Sequence, residues 1–257
     1  QGRLLMLTSK GGVMDYKEIA EAPIHTVGSG PAMAPIAGRY FAKIDSKSST
    51  AIIADTGGTT YDVSLVRNGE IPMTPETWLG EKYQGNILGF SSVDVKSIGA
   101  GGGSIAWVDE GGLLHVGPKS AGANPGPACY GKGGIFPTVT DACLILGYID
   151  ADYFLGGKMK LDFSKARKSI NKYICKPLNL KLNEGAQAIL HLATENMVSA
   201  IEEITIHQGI DPRNSVLIGG GGAAGLNSVA IARRLNCKEL IIPETGSVLS
   251  ATGAIMS

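Results

Sequence analysis

AIIADTGGTTYDVSLV, from Ala51 to Val66, is the stretch that decides the fold. An apolar run ends in Asp55, and a second run from Tyr61 alternates apolar and polar residues, which predicts two strands joined by a tight turn. The turn itself consists of Gly57, Gly58, Thr59 and Thr60. Its uncovered backbone N–H groups and hydroxyls suit an anion, and Asp55 suits a Mg²⁺-bound water or the water that attacks a phosphoryl group. From this stretch alone, an ordinary hairpin with glycines at the corner fits equally well.

A second glycine-rich segment lies near the end of the chain, in VLIGGGGAAGLNSVAIARRL. Its apolar run predicts a strand and its later part a helix, with a loop between them made of Gly219, Gly220, Gly221, Gly222 and Ala223. Such a loop lets a base or ribose lie against the backbone, and the helix N-terminus favours a phosphate. The alternative interpretation is a strand-to-helix turn that needs close packing.

Composition narrows the classes of function. The 257 residues include 23 basic and 23 acidic ones, without a long block of like charge, which argues against nucleic acid and anionic membranes as partners. Four cysteines form no C-x-x-C pair, and no apolar run is long enough for a membrane span, so we expect a cytoplasmic protein with reduced thiols. The start, QGRLLMLTSKGG, has neither signal-peptide order nor an initiator Met, and we expect a piece of a longer protein.

The order of predicted elements gives the fold class. Asn68 and Gly69 predict a hairpin turn, so Glu70 to Thr74 is expected to form a third antiparallel strand. A large glycine-rich insertion follows, and then helix, strand, helix, strand and helix from Asn183 onward. The order predicts an α/β fold with a mixed five-stranded sheet plus a glycine-rich β insertion.

This order resembles one ribonuclease-H-like half of the actin-like ATPase superfamily. In that superfamily the first hairpin of the second half carries a D-x-G-x-T phosphate loop, matched here by Asp55, Gly57 and Thr59, and a later strand ends in the adenosine loop, matched by Gly219 to Ala223. The resemblance implies three parts. These are residues 1–50 as a connecting strand and helices, residues 51–90 with 183–257 as the nucleotide-binding domain, and residues 91–182 as the inserted subdomain.

At a finer level the chain resembles the hydantoinase A/5-oxoprolinase family. The matching stretches are SKGG, GSGPAMAPIAG, DTGGTTYDVSLV, SIGAGGGSIAWVDEGG, GPKSAGANPGPACYGKGG and PTVTDA. The family uses ATP to open cyclic amides such as 5-oxoproline, hydantoins and lactams, and related members carboxylate ketones. The superfamily's first phosphate loop is absent from this chain, so the resemblance implies a fragment that lacks the N-terminal lobe.

The resemblance also implies roles and partners. Asp55 and Thr59 would be catalytic, with Asp55 handling Mg²⁺ or another divalent metal, Gly57 to Thr60 would hold the γ- and β-phosphates of ATP, and Gly219 to Ala223 the adenosine side. The expected partners are a small cyclic amide or ketone substrate and a hydantoinase B-like subunit or domain, within an oligomer. A ketone carboxylase subunit and a non-catalytic nucleotide-gated switch are the alternatives.

The chain departs from the family pattern at two positions. Many relatives have a histidine where Lys96 stands, and many read G-P-L-H where Gly225, Leu226 and Asn227 stand, which leaves the substrate open. Several other polar residues could have either a structural or a functional role. Asp62 could hold a hydrogen bond inside the hairpin or approach the nucleotide, and Cys129 could be a nucleophile or a buried thiol. Asp94 and Asp141 could bind a divalent metal or substrate, with helix capping as the structural interpretation of Asp141. His25, His115, His191 and His207 are scattered along the chain, and Ser29 and Ser104 have no recognisable base partner.

Overall fold

The structure is a computed structural model that describes residues 2–80 and 83–257. Its strands, in chain order, are β1 (Leu5–Leu7), β2 (Val13–Asp15), β3 (Ala51–Thr56), β4 (Tyr61–Val66), β5 (Met73–Thr74), β6 (Trp78–Leu79), β7 (Asn86–Ile87), β8 (Ser92–Val93), β9 (Val95–Ile98), β10 (Ser104–Val108), β11 (Leu114–Ser120), β12 (Val216–Gly220) and β13 (Glu239–Ile241).

The α-helices are concentrated in the second half of the chain. They are α1 (Tyr16–Glu21), α2 (Ala34–Asp45), α3 (Val139–Ile145), α4 (Phe163–Ile170), α5 (Lys176–Leu178), α6 (Leu182–Gln208), α7 (Ala224–Leu235) and α8 (Leu249–Met256). A π-helical segment at Asn171–Cys175 joins α4 to α5, and short 3₁₀ turns lie at Pro23–Thr26, Pro31–Met33, Ala128–Tyr130, Pro212–Asn214 and Gly246–Val248.

The central sheet has five strands in the order β13-β12-β3-β4-β9. β12 runs parallel to both β13 and β3, whereas β4 runs antiparallel to β3 and β9. The predicted mixed five-stranded α/β sheet is therefore confirmed. Because β3 and β12 are parallel neighbours, the segments that follow them begin at the same edge of the sheet.

Both faces of the sheet are covered by helices, as the side-chain alternation of β3 requires. On one face Ile52 and Ala54 pack in a buried cluster with Met197 and Ile201 of α6. On the other face Ile53 packs with residues of α2 and α8. Each buried aliphatic side chain of this size contributes about 1.5–3 kcal/mol relative to exposure, so the two layers hold β3 at the centre of the fold.

The expected third strand at Glu70 to Thr74 was wrong as a member of this sheet. Asn68 and Gly69 do form a tight turn with positive φ at both positions, and Arg67 pairs with Glu70 beside it. The chain then leaves the sheet, because Met73–Thr74 pairs with Ser92–Val93 in a separate two-stranded sheet. The strand that extends the sheet beyond β4 is β9, from Val95 to Ile98.

Most of the segment between β9 and α7 builds a second hydrophobic core. The hairpin of β10 and β11 packs with α3, α4 and the first half of α6, and Val139, Ile170 and Ile189 are fully buried there. A helical layer therefore lies next to the β10–β11 hairpin. The three-part division at residues 50, 90 and 182 stays a prediction.

Strand β1, which contains the apolar residues before Thr8, pairs with β2 in a hairpin whose residues are exposed or half-buried. The long helix α6 starts at Leu182 with Lys181 as its N-cap, where Asn183 had been expected. Within residues 2–80 and 83–257, no helix is both long and apolar enough to cross a membrane.

Candidate functional site

The turn between β3 and β4 projects from the edge of the sheet. Gly57 donates its backbone N–H to the carbonyl of Thr60 at 2.9 Å, which closes the turn, and Gly58, Thr59 and Thr60 are exposed. Among the described residues, the amides of Gly58 and Thr59 donate to no protein acceptor. Adjacent free amides in a glycine-containing turn form an anion-binding concavity, so the predicted phosphate turn has suitable geometry.

The second predicted loop lies directly against the first. Gly220 is in register with Asp55, and Ala223 donates its N–H to the carbonyl of Thr56 at 3.0 Å. Gly221 has φ +87°, and a Cβ atom there would lie 2.2 Å from the Thr56 carbonyl oxygen and 2.5 Å from Oδ1 of Asp55. Glycine is required at this position because the backbone approaches the carboxylate and adopts a left-handed conformation.

The other glycines of this loop differ in their surroundings. A Cβ atom on Gly219 would lie 2.8 Å from the hydroxyl of Ser228, and one on Gly220 would lie 2.4 Å from Leu249. Around Gly222, in contrast, no heavy atom of the described residues other than its chain neighbours lies within 4 Å of that position. Gly219 and Gly220 therefore serve packing, and Gly222 leaves open space.

A third glycine-rich segment holds the phosphate turn in place, and residue patterns alone missed this contact. Gly102 donates to the carbonyl of Gly57 at 3.2 Å, and Gly103 donates to the carbonyl of Gly58 at 2.6 Å. Thr140, at the start of α3, in turn donates its hydroxyl to the carbonyl of Gly102 at 2.7 Å. The run GAGGGS was the only sequence signal for this contact, and the turn that it contacts lies some forty residues earlier in the chain. The carbonyls of Gly57 and Gly58 point toward this third segment. Because the N–H of a trans peptide points opposite to its carbonyl, the free amides of Gly58 and Thr59 point away from the segment.

Asp55 and Asp62 form a pair of carboxylates across the hairpin. They are directly opposite each other in the β3–β4 register, so their side chains share one face of the sheet. Ser250 of α8 donates its hydroxyl to Oδ2 of Asp55 at 3.0 Å. Oδ1 of Asp62 is buried and has no hydrogen-bond partner within the described part of the chain.

The surroundings of both carboxylates disfavour their charged forms. Burial raises the pKa of Asp55, and the hydrogen bond from Ser250 opposes that rise. Burial also raises the pKa of Asp62, the hydroxyl of Ser97 opposes it, and the negative charge of Asp55 adds to it. A bound cation would relieve this destabilisation, and carboxylate oxygens are ligands that Mg²⁺ prefers. No group of three or more His, Cys, Asp or Glu residues in the described ranges could hold a metal, so the remaining ligands would be phosphate oxygens or water.

Replacement of Asp62 by asparagine is expected to raise the melting temperature of the protein at pH 7. Because folding raises the pKa of Asp62 above its ordinary value of 3.8, its favourable contribution is present below that value and is lost as the pH rises through the folded-state pKa. A gain of about 1 kcal/mol corresponds to about 2–4 °C in a chain of this size. Thermal unfolding at pH 7 and pH 4 measures the effect, and the gain should shrink at the lower pH.

Asp109→Asn is the control for this experiment. The pKa of Asp109 is lowered, chiefly by its hydrogen bond with His115 at 2.6 Å, so this half-buried carboxylate is favourable when charged. Its substitution should leave the melting temperature unchanged or lower it. A lower melting temperature for Asp62→Asn at pH 7 would contradict the electrostatic interpretation of the pair.

A cleft of about 510 Å³ opens beside the glycine loops. Its lining includes Gly58, Gly222 and Ala223 from the glycine loops, and also Tyr148 and Tyr153. Apolar clefts with a few convergent polar groups are the common form of small-molecule sites. The tyrosines come from an irregular segment after α3 whose sequence shows no periodicity, which is why the sequence did not predict them.

The other polar residues singled out from the sequence have structural roles or surroundings. Asp141 is fully buried and accepts hydrogen bonds from the backbone N–H groups of Ala128, Cys129 and Thr138, as part of the α3 capping box. Burial strongly raises the pKa of the Cys129 thiol, so this thiol stays protonated. Asp94 accepts from Gln208 at 2.7 Å.

The two positions that depart from the family pattern are also engaged in contacts. Lys96 pairs with Glu203 at 2.6 Å on the face of the sheet that α6 covers. Asn227 is buried and donates its amide to Thr194 at 2.9 Å. Neither side chain belongs to the carboxylate pair or to the glycine loops.

These features define an α/β protein with a mixed five-stranded sheet and three glycine-rich loops that meet at the carboxyl edge of its parallel strands. The chain belongs to the hydantoinase/oxoprolinase family, whose sequence profile matches residues 1–257. The family predicted from the sequence is thereby confirmed.

Several relatives show how the family varies. The chain is 40% identical over 252 residues to the caprolactamase subunit alpha of Pseudomonas jessenii, covering 97% of this chain and 35% of that protein. It is 40% identical over 224 residues to the acetophenone carboxylase gamma subunit of Aromatoleum aromaticum, covering 86% and 30% respectively. The crystal structure of the ATP-dependent caprolactamase from Pseudomonas jessenii superimposes with a TM-score of 0.86 at 38% identity, over 99% of this chain and 36% of that one. The chain thus spans about a third of the length of these relatives.

Proposed function

We propose that this chain is the C-terminal nucleotide-binding part of an ATP-dependent hydrolase that opens cyclic amides by phosphoryl activation. The observation that carries the proposal is the contact between the turn after Asp55 and the loop from Gly219 to Ala223 at one edge of the sheet. This is the arrangement expected for a ribonuclease-H-like half of an actin-like ATPase, with the other wall of the site supplied by an N-terminal lobe.

The residues of the chain have distinct tasks in this proposal. The free amides of Gly58 and Thr59, with the hydroxyls of Thr59 and Thr60, hold the γ- and β-phosphates. Asp55 and Asp62 supply carboxylate oxygens for Mg²⁺, and the unpartnered Oδ1 of Asp62 fits such a cation. When bound, Mg²⁺ neutralises charge that develops on the phosphates.

The loop from Gly219 to Ala223 borders the 510 Å³ cleft, where the nucleoside is proposed to lie against Gly222 and the tyrosine side. Phosphorylation of an amide oxygen converts a resonance-stabilised carbonyl into one that water attacks. This chemistry explains why the opening of a stable ring would be coupled to ATP. The chain's own contribution is to hold and orient the nucleotide.

The substrate class distinguishes this proposal from its alternative. Relatives of this chain include both a caprolactamase subunit and carboxylase subunits, so an ATP-dependent ketone carboxylase is the second candidate. The complete protein and its hydantoinase B-like partner should be incubated with ATP and either lactams and hydantoins or ketones with bicarbonate. ADP release that depends on the cyclic amides supports the hydrolase, release that depends on ketone and bicarbonate supports the carboxylase, and release indifferent to all of them supports a nucleotide-gated switch.

Gly222→Val is expected to weaken ATP binding by at least about tenfold, equivalent to about 1.4 kcal/mol, without loss of folded protein. The valine side chain would enter the cleft, because Gly222 lines it and, in the described part of the chain, only sequence neighbours lie within 4 Å of its Cβ position. Calorimetric titration of the complete protein with ATP and Mg²⁺ measures the loss.

Gly225→Ala provides a matched control three residues along the chain. Gly225 also has open space at its Cβ position, with nothing from the described residues beyond its own helix backbone and neighbours within 4 Å, but it is exposed in α7 and does not line the cleft. Alanine is favoured there by helix propensity, so folding and ATP affinity should be preserved. Equal affinities for Gly222→Val and the unmodified protein would refute the placement of the nucleotide.

A further inference from the structure

Positive charge is concentrated in one part of a chain that is neutral overall. Residues 157–183 contain eight of the 23 basic residues and one of the 23 acidic residues, Asp162. The basic residues are Lys158, Lys160, Lys165, Arg167, Lys168, Lys172, Lys176 and Lys181. The rest of the chain consequently carries an excess of acidic residues, so this segment is a local positive patch.

Three of these lysines line a groove. Lys165, Lys168 and Lys172 are spaced three and four residues apart, so they lie on one face of α4 and the π-helical segment after it. The glycine-rich loop from Gly131 to Gly134 also lines the groove, which has a volume of about 450 Å³. Ser169 fixes the loop to the helix by donating its hydroxyl to the carbonyl of Ile135 at 2.7 Å. We call this feature the lysine groove.

The charges of the lysine groove are largely uncompensated. Lys165 lies 3.6 Å from Asp162, but both side chains are exposed and such pairs are weak. Across the described ranges, Lys168 and Lys172 have no carboxylate within ion-pair distance. The ammonium group of Lys172 lies 4.7 Å from the ring centroid of Tyr173 instead.

Apolar side chains lie exposed at the rim of the lysine groove. Ile135 is 58% exposed and Phe136 is 46% exposed, and the ring of Phe136 lies 5.2 Å from that of Tyr173. Exposed aromatic residues are enriched at the surfaces that proteins use to bind one another, relative to the rest of the protein surface. The combination of free lysines with exposed apolar rings fits a segment that carries both acidic and apolar side chains.

We infer that the lysine groove docks an acidic segment of the hydantoinase B-like partner, an inference that rests on the proposed function for the identity of that partner. The related caprolactamase and carboxylase chains are named as subunits, so an interface with a second chain is required in those proteins. The excess negative charge elsewhere on the chain repels a long polyanion or an anionic membrane, whereas a short acidic segment meets only the local positive field.

The test uses charge reversal in the complete protein. Lys168→Glu combined with Lys172→Glu is expected to weaken association with the partner subunit at least about tenfold and to reduce its dependence on salt, because rim charges govern steering and salt sensitivity. Both side chains are exposed, so the fold is preserved. Lys17→Glu combined with Lys238→Glu changes the net charge equally at exposed sites away from the groove and should leave association unchanged.

The association is measured by surface binding at two salt concentrations, and ATP affinity is titrated on the same proteins. Weaker association with unchanged ATP affinity in the groove variant supports docking. Equal effects of the two charge reversals, or no effect of either, overturn it, as does a partner subunit that does not bind the unmodified protein. Lysine-dependent binding to duplex DNA or phosphatidylserine vesicles that is tighter than binding to the partner also overturns it. Failure of the unmodified protein to bind ATP would instead refute the proposed function.

Discussion

Asp55→Asn is expected to reduce ATP turnover by the complete protein at least about 100-fold, the size of effect seen when one preorganised electrostatic group is removed from an active site. Asp55 lies at the end of β3, its Oδ1 faces the backbone of Gly221, and its partner across the hairpin is a second carboxylate. Asparagine keeps the shape and accepts the hydrogen bond from Ser250, but it lacks the charge that binds a divalent cation. Turnover is measured as ADP release at saturating Mg²⁺, and nucleotide affinity is titrated separately.

Ser250→Ala is the matched control for Asp55→Asn. It removes one hydrogen bond to Oδ2 of Asp55 and leaves the carboxylate in place, so turnover should change only a few-fold. Thermal unfolding should show Asp55→Asn to be as stable as the unmodified protein or more so, because burial raises the pKa of Asp55 and the charged form is disfavoured in the fold. Undiminished turnover with asparagine at position 55 would remove this site from consideration.

Those strands of the central sheet that carry a pattern within their own sequence could be predicted. The apolar runs at Ile52 and Leu217 and the alternation from Tyr61 identify β12, β3 and β4, and their order along the chain implies a mixed sheet. The strand next to β4 was not predictable in this way. The turn at Asn68 and Gly69 is correct, but a tight turn fixes only the next residue pair, and β9 reaches the sheet edge through a long intervening segment.

The contacts of the candidate site also include some that the sequence predicts and some that it does not. The contact between the turn after Asp55 and the loop that contains Gly221 follows from the parallel register of β3 and β12, which the sequence order implies. The support from Gly102 and Gly103, and the tyrosine side of the cleft, depend on how the inserted segment folds back over the sheet. Such contacts leave no periodic signal, because each is a single approach between distant backbone segments.

Gly101→Ala is expected to reduce ATP affinity about 100-fold, or about 2.7 kcal/mol, through displacement of the phosphate turn. A Cβ atom at this position would lie 2.6 Å from the carbonyl oxygen of Gly57 and 2.9 Å from the carbonyl carbon of Gly58. Backbone atoms have no alternative rotamer, so either the turn or the Gly101 segment must move, and overpacking of this kind costs about 1–3 kcal/mol of stability. Calorimetry with ATP and thermal unfolding measure the two effects.

Gly102→Ala separates displacement of the turn from a general loss of glycine. A Cβ atom at Gly102 would lie 3.0 Å from the hydroxyl oxygen of Thr140 and 3.8 Å from the Cβ of Ala223, both of which are side-chain atoms. A small shift of the Thr140 side chain accommodates the methyl group, so ATP affinity should fall only a few-fold. If the two adjacent substitutions weaken ATP binding equally, the contact with Gly57 and Gly58 does not position the turn. A large difference between them, with Gly101→Ala the weaker binder, would identify the inserted segment as the support on which the phosphate turn depends.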